Sequence, residues 1–180
     1  MGPDATPTLL NLGCGFKQIK GNGWVNVDAY DCCQPDIQWD LNTFPYPWED
    51  NSVDGIMMSH ILEHIPDWWG AFNECARILK IGGRYEVLVP DESSATALTY
   101  RDHFHVFSLM SFHGIAEVNH GTSAWARENK ETVPLKLESY QQVPYKKYNW
   151  MVRFPWLLRF CANHLRNFIH EQIFIFRKIS

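Results

Sequence analysis

Leu9-Leu10-Asn11-Leu12-Gly13-Cys14-Gly15, followed closely by Val25-Asn26-Val27-Asp28, is the stretch that decides the fold. An apolar run breaks at a Gly-x-Gly turn, and a second apolar run ends on a lone carboxylate. A nucleotide-binding α/β sheet begins this way. The glycines let the backbone approach a ligand, and an acid at the tip of the next strand accepts ribose hydroxyl hydrogen bonds. Two details point away from a dinucleotide and disfavour a nicotinamide-dependent oxidoreductase. Gln18 stands where the third glycine of G-x-G-x-x-G would fall. The acid also comes about a dozen residues after the turn, not the roughly twenty of that fingerprint. A nucleoside with no pyrophosphate to cradle suits this spacing, and S-adenosylmethionine is the expected one.

Outward from this point, short apolar runs alternate with helical segments, which predicts a mostly parallel sheet. Strands are expected over Thr8 to Leu12, Trp24 to Asp28, Asp36 to Trp39, Val53 to Met58 and Arg84 to Val89. Gly13 to Gly23 leaves room for a turn or two of helix, a short crossover for a parallel pair. Ser59 to Ile65 reads as a brief helical segment stopped by Pro66. Asp67 is the expected N-cap of a helix carrying Trp68, Trp69, Phe72, Cys75, Ala76 and Leu79 at helical spacing, with Arg77 and Lys80 at its C-terminal end and Gly82-Gly83 ending it. Further on, a helix is expected over Phe107 to Ala116, a polar loop up to Pro134, a strand within Leu135 to Trp150, an amphipathic aromatic segment over Phe154 to Phe168, and a last strand over Gln172 to Lys178.

The 180 residues make one ordinary domain, globular by its 46% hydrophobic and 20% charged content. No apolar run is long enough for a membrane span. The N-terminus carries no basic region and no apolar signal core. It fits the Met-Gly-x-x-x-Ser/Thr myristoylation pattern only formally, with Pro3 and Asp4 as awkward neighbours. Five cysteines, Cys14, Cys32, Cys33, Cys75 and Cys161, are odd in number and form no C-x-x-C, so free thiols in a reducing cytoplasm are expected. Charge is uneven. Residues 1–126 hold 6 Lys/Arg and 16 Asp/Glu (−10), and residues 127–180 hold 10 and 4 (+6). The basic third faces an anionic substrate or a membrane surface, or merely balances an acidic body. The overall acidity speaks mildly against non-specific nucleic-acid binding, which relies on many phosphate contacts, and no specific nucleic-acid partner is expected.

Five matches together resemble the class I S-adenosylmethionine-dependent methyltransferases, and within them the small type 11 methyltransferase domain. They are Asn11 to Gly15; Gly23 to Asp28; Asp40-Leu41; Asp50-Asn51-Ser52-Val53-Asp54 running into Ser59-His60-Ile61-Leu62-Glu63-His64-Ile65; and Arg77-Ile78-Leu79-Lys80 through Gly82-Gly83 to Val89-Pro90-Asp91. They span residues 9–91, about half the chain. The resemblance implies a Rossmann-like α/β fold: a mostly parallel sheet of seven strands, or a reduced version of it, with an antiparallel C-terminal strand and helices on both faces. Residues 1–91 would hold the cofactor and residues 92–180 would form the acceptor and lid half. Asn11, Gly13, Cys14, Gly15, Asp28, Ala29, Asp40, Leu41, Ser59 and His60 are the implied cofactor-binding residues. Asp28 would take the ribose hydroxyls, Asp40 the adenine amino group and the Leu41 amide a ring nitrogen.

His60 is the expected side chain at the methyl-transfer point, orienting the nucleophile or taking its proton. Asp91 and His103, with His105 nearby, form a second candidate catalytic group beyond the fifth strand. His60-x-x-Glu63-His64 also spells the H-x-x-E-H of a zinc-peptidase group, but Pro66 cuts the helix such a site needs, and no metal is expected. The expected activity is methyl transfer to a small-molecule acceptor, a sugar or secondary metabolite, by an enzyme with room for a homodimer. The alternatives are a non-catalytic S-adenosylmethionine-binding module and a metal-dependent hydrolase on His60, Glu63 and His64. Trp68, Trp69, Trp125, Tyr145, Tyr148, Trp150 and Trp156 either build an aromatic acceptor pocket or serve as core and lid packing.

Overall fold

The computed structural model describes residues 6–112 and 133–179. Seven strands form one sheet: β1 (Leu9–Leu12), β2 (Trp24–Asp28), β3 (Ile37–Gln38), β4 (Val53–Ser59), β5 (Leu79–Pro90), β6 (Leu135–Pro144) and β7 (Ile169–Lys178). Their order is β3-β2-β1-β4-β5-β7-β6. Strands β1 to β5 pair in parallel, and β7 runs antiparallel to both of its neighbours. The order reverses between β1 and β4, so a crevice opens at the carboxyl ends of these strands, where open α/β sheets bind ligands.

The expected crossover helix between β1 and β2 is absent. Two buried asparagines hold that connection instead. Asn11 and Asn26 face each other in register across β1 and β2. Asn11 Nδ2 donates to Asn26 Oδ1 at 2.9 Å and to the Lys17 carbonyl at 3.0 Å. Asn26 Oδ1 also accepts from Ile19 N at 2.8 Å, and Asn26 Nδ2 donates to Ile19 O at 2.9 Å and Asp36 Oδ2 at 2.8 Å. Side-chain amides thus satisfy a loop backbone that a helix would have satisfied internally. Gly23, at φ +78°, closes the loop; a Cβ there would collide with the Pro7 carbonyl. The third strand is only Ile37–Gln38, shorter than expected, because Asp36 turns its carboxylate back onto Asn26 N at 2.7 Å.

Helix α1 (Trp68–Ile78) starts where expected: Asp67 Oδ1 accepts from Gly70 N at 2.9 Å. It buries Ala71, Phe72, Cys75, Ala76 and Ile78. It stops before Gly82-Gly83, because the Asn51 and Ser52 amides take the Arg77 and Ile78 carbonyls at 3.1 and 2.9 Å. Leu79 then opens β5, and Lys80 reaches Asp54 at 2.7 Å instead of capping the helix. Phe72 seats the helix on the sheet, with Tyr85 and Phe176 at 5.2 Å and Phe112 at 5.6 Å between ring centroids. On the opposite sheet face, Met57, Leu88, Ile173 and Ile175 are only half-buried.

Beyond β5 lie a short helix α2 (Ala95–Thr99), a 3-10 turn at Leu109–Phe112, a 3-10 run at Lys146–Arg153 and helix α3 (Pro155–His164). The helix expected over Phe107 to Ala116 is the turn at Leu109–Phe112 as far as residue 112. Its remainder, most of the polar stretch up to Pro134, and Trp125 lie outside the described residues. Met151, Cys161, Phe168 and Ile169 form a second small core under α3.

Replacing Asn26 with alanine strands the Asn11 amide and the Ile19 N–H and carbonyl. It should cost roughly 1–3 kcal/mol of stability, read as a lowered urea midpoint at unchanged m-value.

Candidate functional site

A cleft of about 590 Å³ opens at the strand-order reversal, lined among others by Gly13, Gly15, Asp28, Trp39, Asp40 and His60. The turn after β1 forms its floor. Gly13 sits at φ +67°, and a Cβ there would run into the Ile61 side chain, whereas at Gly15 it would meet nothing within 4 Å. Cys14 N donates to Val27 O at 3.0 Å and tethers the turn to β2. Asp28 is 8% exposed at the end of β2. Its Oδ2 accepts from Gly15 N at 2.8 Å and its Oδ1 from Tyr30 N at 3.0 Å. Each oxygen keeps a second lone pair for a ligand hydroxyl.

Of the sequence-derived cofactor residues, Gly13, Gly15, Asp28, Ala29, Asp40, Leu41 and His60 line this cleft. Asn11, Cys14 and Ser59 do not. Asn11 is spent on the Asn26 network, and the Cys14 thiol is buried, with its pKa pushed up to about 11 by that burial and by Asp28. Asp40 is exposed and forms a tight turn with its own chain, Oδ1 accepting from Asn42 N at 2.9 Å. Trp39, which the sequence did not single out, lines the same wall, and its indole N–H is buried without a hydrogen-bond partner.

His60 follows β4 with φ +55°, an uncommon conformation outside glycine. Its N–H bonds to Leu88 O at 2.9 Å, and its ring Nε2 lies 2.9 Å from Glu171 Oε2. Glu171 comes first among the groups that raise the His60 pKa, from 6.5 to about 9, with Glu63 adding to it against the opposing effect of burial. His60 in turn depresses Glu171. His60 is thus held between two carboxylates, with its Nδ1 3.5 Å from Glu63 Oε1, an arrangement that favours the imidazolium. Glu171 was not legible in the sequence. Its only trace is the break in apolar alternation at His170-Glu171-Gln172, inside a strand that β5 and β6 flank.

Three bonds stitch residues 102–105 onto the turn after β4. They are Phe104 N to Glu63 O at 2.9 Å, His64 Nδ1 with Asp102 O at 3.0 Å, and His105 Nε2 with Pro66 O at 2.9 Å. His103 therefore packs edge-on against His64, with ring centroids 4.7 Å apart, in a pocket it shares with His60 and Glu63. His105 is taken up by Pro66 and by the Trp68 and Phe107 rings. Asp91, expected to be catalytic, lines neither hollow. It is 2% exposed and committed to Ser93 N and Oγ at 2.9 and 2.6 Å and to Gln142 at 3.3 Å. It holds the turn after β5. Glu63, His64 and His103 bring ligand-type atoms within 4.8 Å of one another, with Glu63 Oε1 already 3.5 Å from His60 Nδ1 as an ion pair.

The aromatic residues divide. Trp68 and Trp69 pack with Phe72 around α1, and Tyr148 stacks on Phe168 at 4.4 Å. Trp150 and Trp156 are 57% and 72% exposed and build no pocket wall in the cleft.

A family model described as a methyltransferase domain matches residues 10–87. No curated protein matches the chain. Among solved structures, an S-adenosylmethionine-dependent methyltransferase from Archaeoglobus fulgidus superimposes with a TM-score of 0.63 at 14% identity, covering 96% of this chain and 86% of that one. Geranyl diphosphate methyltransferase in complex with S-adenosylmethionine gives 0.59 at 12% identity, with 99% and 81% covered. The cyclase SpnF gives 0.61 at 16% identity, with 99% and 76% covered. At these identities the likeness is one of fold. Residues 10–87 match a methyltransferase-domain model, and the described residues carry the fold of these S-adenosylmethionine-dependent methyltransferases.

Proposed function

We propose that the cleft holds S-adenosylmethionine and that the chain passes its methyl group to a small-molecule acceptor, of the sugar or secondary-metabolite kind, reaching the cleft beside His60. The placement of Asp28 carries this reading. A carboxylate at the carboxyl end of β2, held by two backbone N–H groups, stands beside the Gly13-Cys14-Gly15 turn within the residues that match a methyltransferase-domain model. One carboxylate with two free lone pairs suits a vicinal diol. Trp39 and Leu41 line the wall of the same cleft.

S-adenosylmethionine, held by Asp28 and the turn after β1, would supply a methyl group already activated on a sulfonium. What remains for the protein is alignment and exclusion of water. His60, held between Glu171 and Glu63, sets the charge and shape of the cleft beside the methyl-transfer point and is a positioning group. His103, which lines the adjoining pocket, is the candidate proton acceptor. Asp91 has no part in this arrangement. No helix among the described residues is long and apolar enough to cross a membrane. A cytoplasmic location and a homodimer belong to this reading as proposals.

Calorimetric titration of S-adenosylmethionine into wild type and Asp28→Ala tests the reading. Loss of two charge-assisted hydrogen bonds should weaken binding at least about tenfold. Equal affinity in a folded variant would remove Asp28 from the site. The His60–Glu171 couple has its own test. The raised His60 pKa stabilises the fold fully below pH 6.5, and that contribution is lost as pH rises through about 9. The depressed Glu171 pKa contributes above its ordinary 4.5 and is lost as pH falls below it. In Glu171→Gln, the His60 ring signal followed by NMR should titrate closer to 6.5 than in wild type. A wild-type His60 already titrating near 6.5 would break the assignment.

A further inference from the structure

From Ser139 to His170 the chain has no Asp or Glu, but it carries Lys146, Lys147, Arg153, Arg159 and Arg166. All five are exposed, and no carboxylate pairs with any of them among the described residues. Between them stand apolar side chains turned to solvent: Trp150 at 57%, Val152 at 54%, Phe154 at 46%, Trp156 at 72%, Phe160 at 57% and Leu165 at 50% exposure. Trp156 and Phe160 are four residues apart on α3, hence on one face. Single exposed apolar residues are ordinary, but a run of large ones interleaved with cations is not.

The segment is a fixed platform and not a tail. Tyr145 N bonds to Phe168 O at 3.1 Å and Tyr145 Oη to Ser94 Oγ at 2.9 Å at one end, and Asn167 N bonds to Ser93 O at 2.9 Å at the other. Its inner side chains, Met151, Cys161 and Phe168, form the small core beneath it. The apolar residues left outside are therefore those that the local fold does not use.

We propose that this platform, Lys146 to Arg166, docks on an anionic lipid bilayer, its aromatic side chains entering the interface and its cations meeting the headgroups. Charge complementarity selects this occupant: unpaired cations gather on one segment of a chain whose first 126 residues carry −10. A nucleic acid does not use the aliphatic Val152 and Leu165, while Trp with Lys and Arg is the composition of an interfacial helix. A hollow of about 560 Å³ lined by Tyr145, Lys146, Lys147, His170 and Glu171 lies at the root of the platform. Docking would present that hollow, and through Glu171 the His60 pair, to molecules held at the surface. The docking itself does not require methyl transfer.

The test is co-sedimentation of the whole protein, without cofactor, with vesicles of phosphatidylcholine alone or mixed with phosphatidylglycerol. Binding to the mixed vesicles only, weakened by salt, about tenfold weaker in Arg153→Gln/Arg159→Gln and weakened also in Trp156→Ala/Phe160→Ala, is the expected result. The arginine variant touches no core residue, so it keeps the test sound if the aromatic variant folds poorly. Three results would overturn the proposal. One is no binding to either vesicle. Another is capture of single-stranded oligonucleotide with vesicles ignored. The third is a wild-type dimer that Trp156→Ala/Phe160→Ala converts to monomer while vesicle binding is absent. Unaltered S-adenosylmethionine affinity in the variants separates this proposal from the reading of the cleft.

Discussion

The Asn11–Asn26 amide pair is the constraint on which the cleft end of this molecule rests. A parallel β1–β2 connection ordinarily contains a helix whose backbone satisfies itself. Here eleven residues cross between the strands without one, and two strand side chains supply the missing partners to Lys17, Ile19 and Asp36. The pair lies two residues before Gly13 on one strand and two before Asp28 on the other. Whatever fixes the asparagines fixes the turn and the carboxylate together, and the Gly15 to Asp28 bond then locks one to the other. Burying two amides is worthwhile only because each finds its partners.

That constraint explains what could be read in advance. Alternating apolar runs ending in Gly13-x-Gly15, Asp28 and Ser59 specify parallel strands and a crevice at their carboxyl ends, because those patterns are local. The N-cap at Asp67 was legible for the same reason. The helix ends and crossovers were not. The stop of α1 at Ile78 depends on amides from Asn51 and Ser52, more than twenty-five residues earlier. The absent first helix depends on asparagines that, in sequence, look like ordinary strand residues.

The chemical end of the cleft followed the same division. His60 was visible as a histidine after a strand, but its charge state was not, since that is set by Glu171 at the far end of the chain. Asp91 occupies the sheet edge where a functional acid is expected, yet Ser93 and Gln142 absorb its lone pairs. Position on a fold nominates a residue, and only its hydrogen-bond partners decide what it is free to do. The cyclase SpnF, on the same fold, makes the matching point for whole proteins.

Cys14 shows a different consequence of the same turn. A sulfur atom between the two glycines would be the softest nucleophile next to an alkylating ligand. Burial and the Asp28 charge keep it a neutral thiol until about pH 11. The thiolate, not the thiol, attacks electrophilic carbon. The turn is thereby chemically inert toward the ligand proposed for it. The same protonation should spare Cys14 from iodoacetamide and mild oxidants that reach the exposed Cys32.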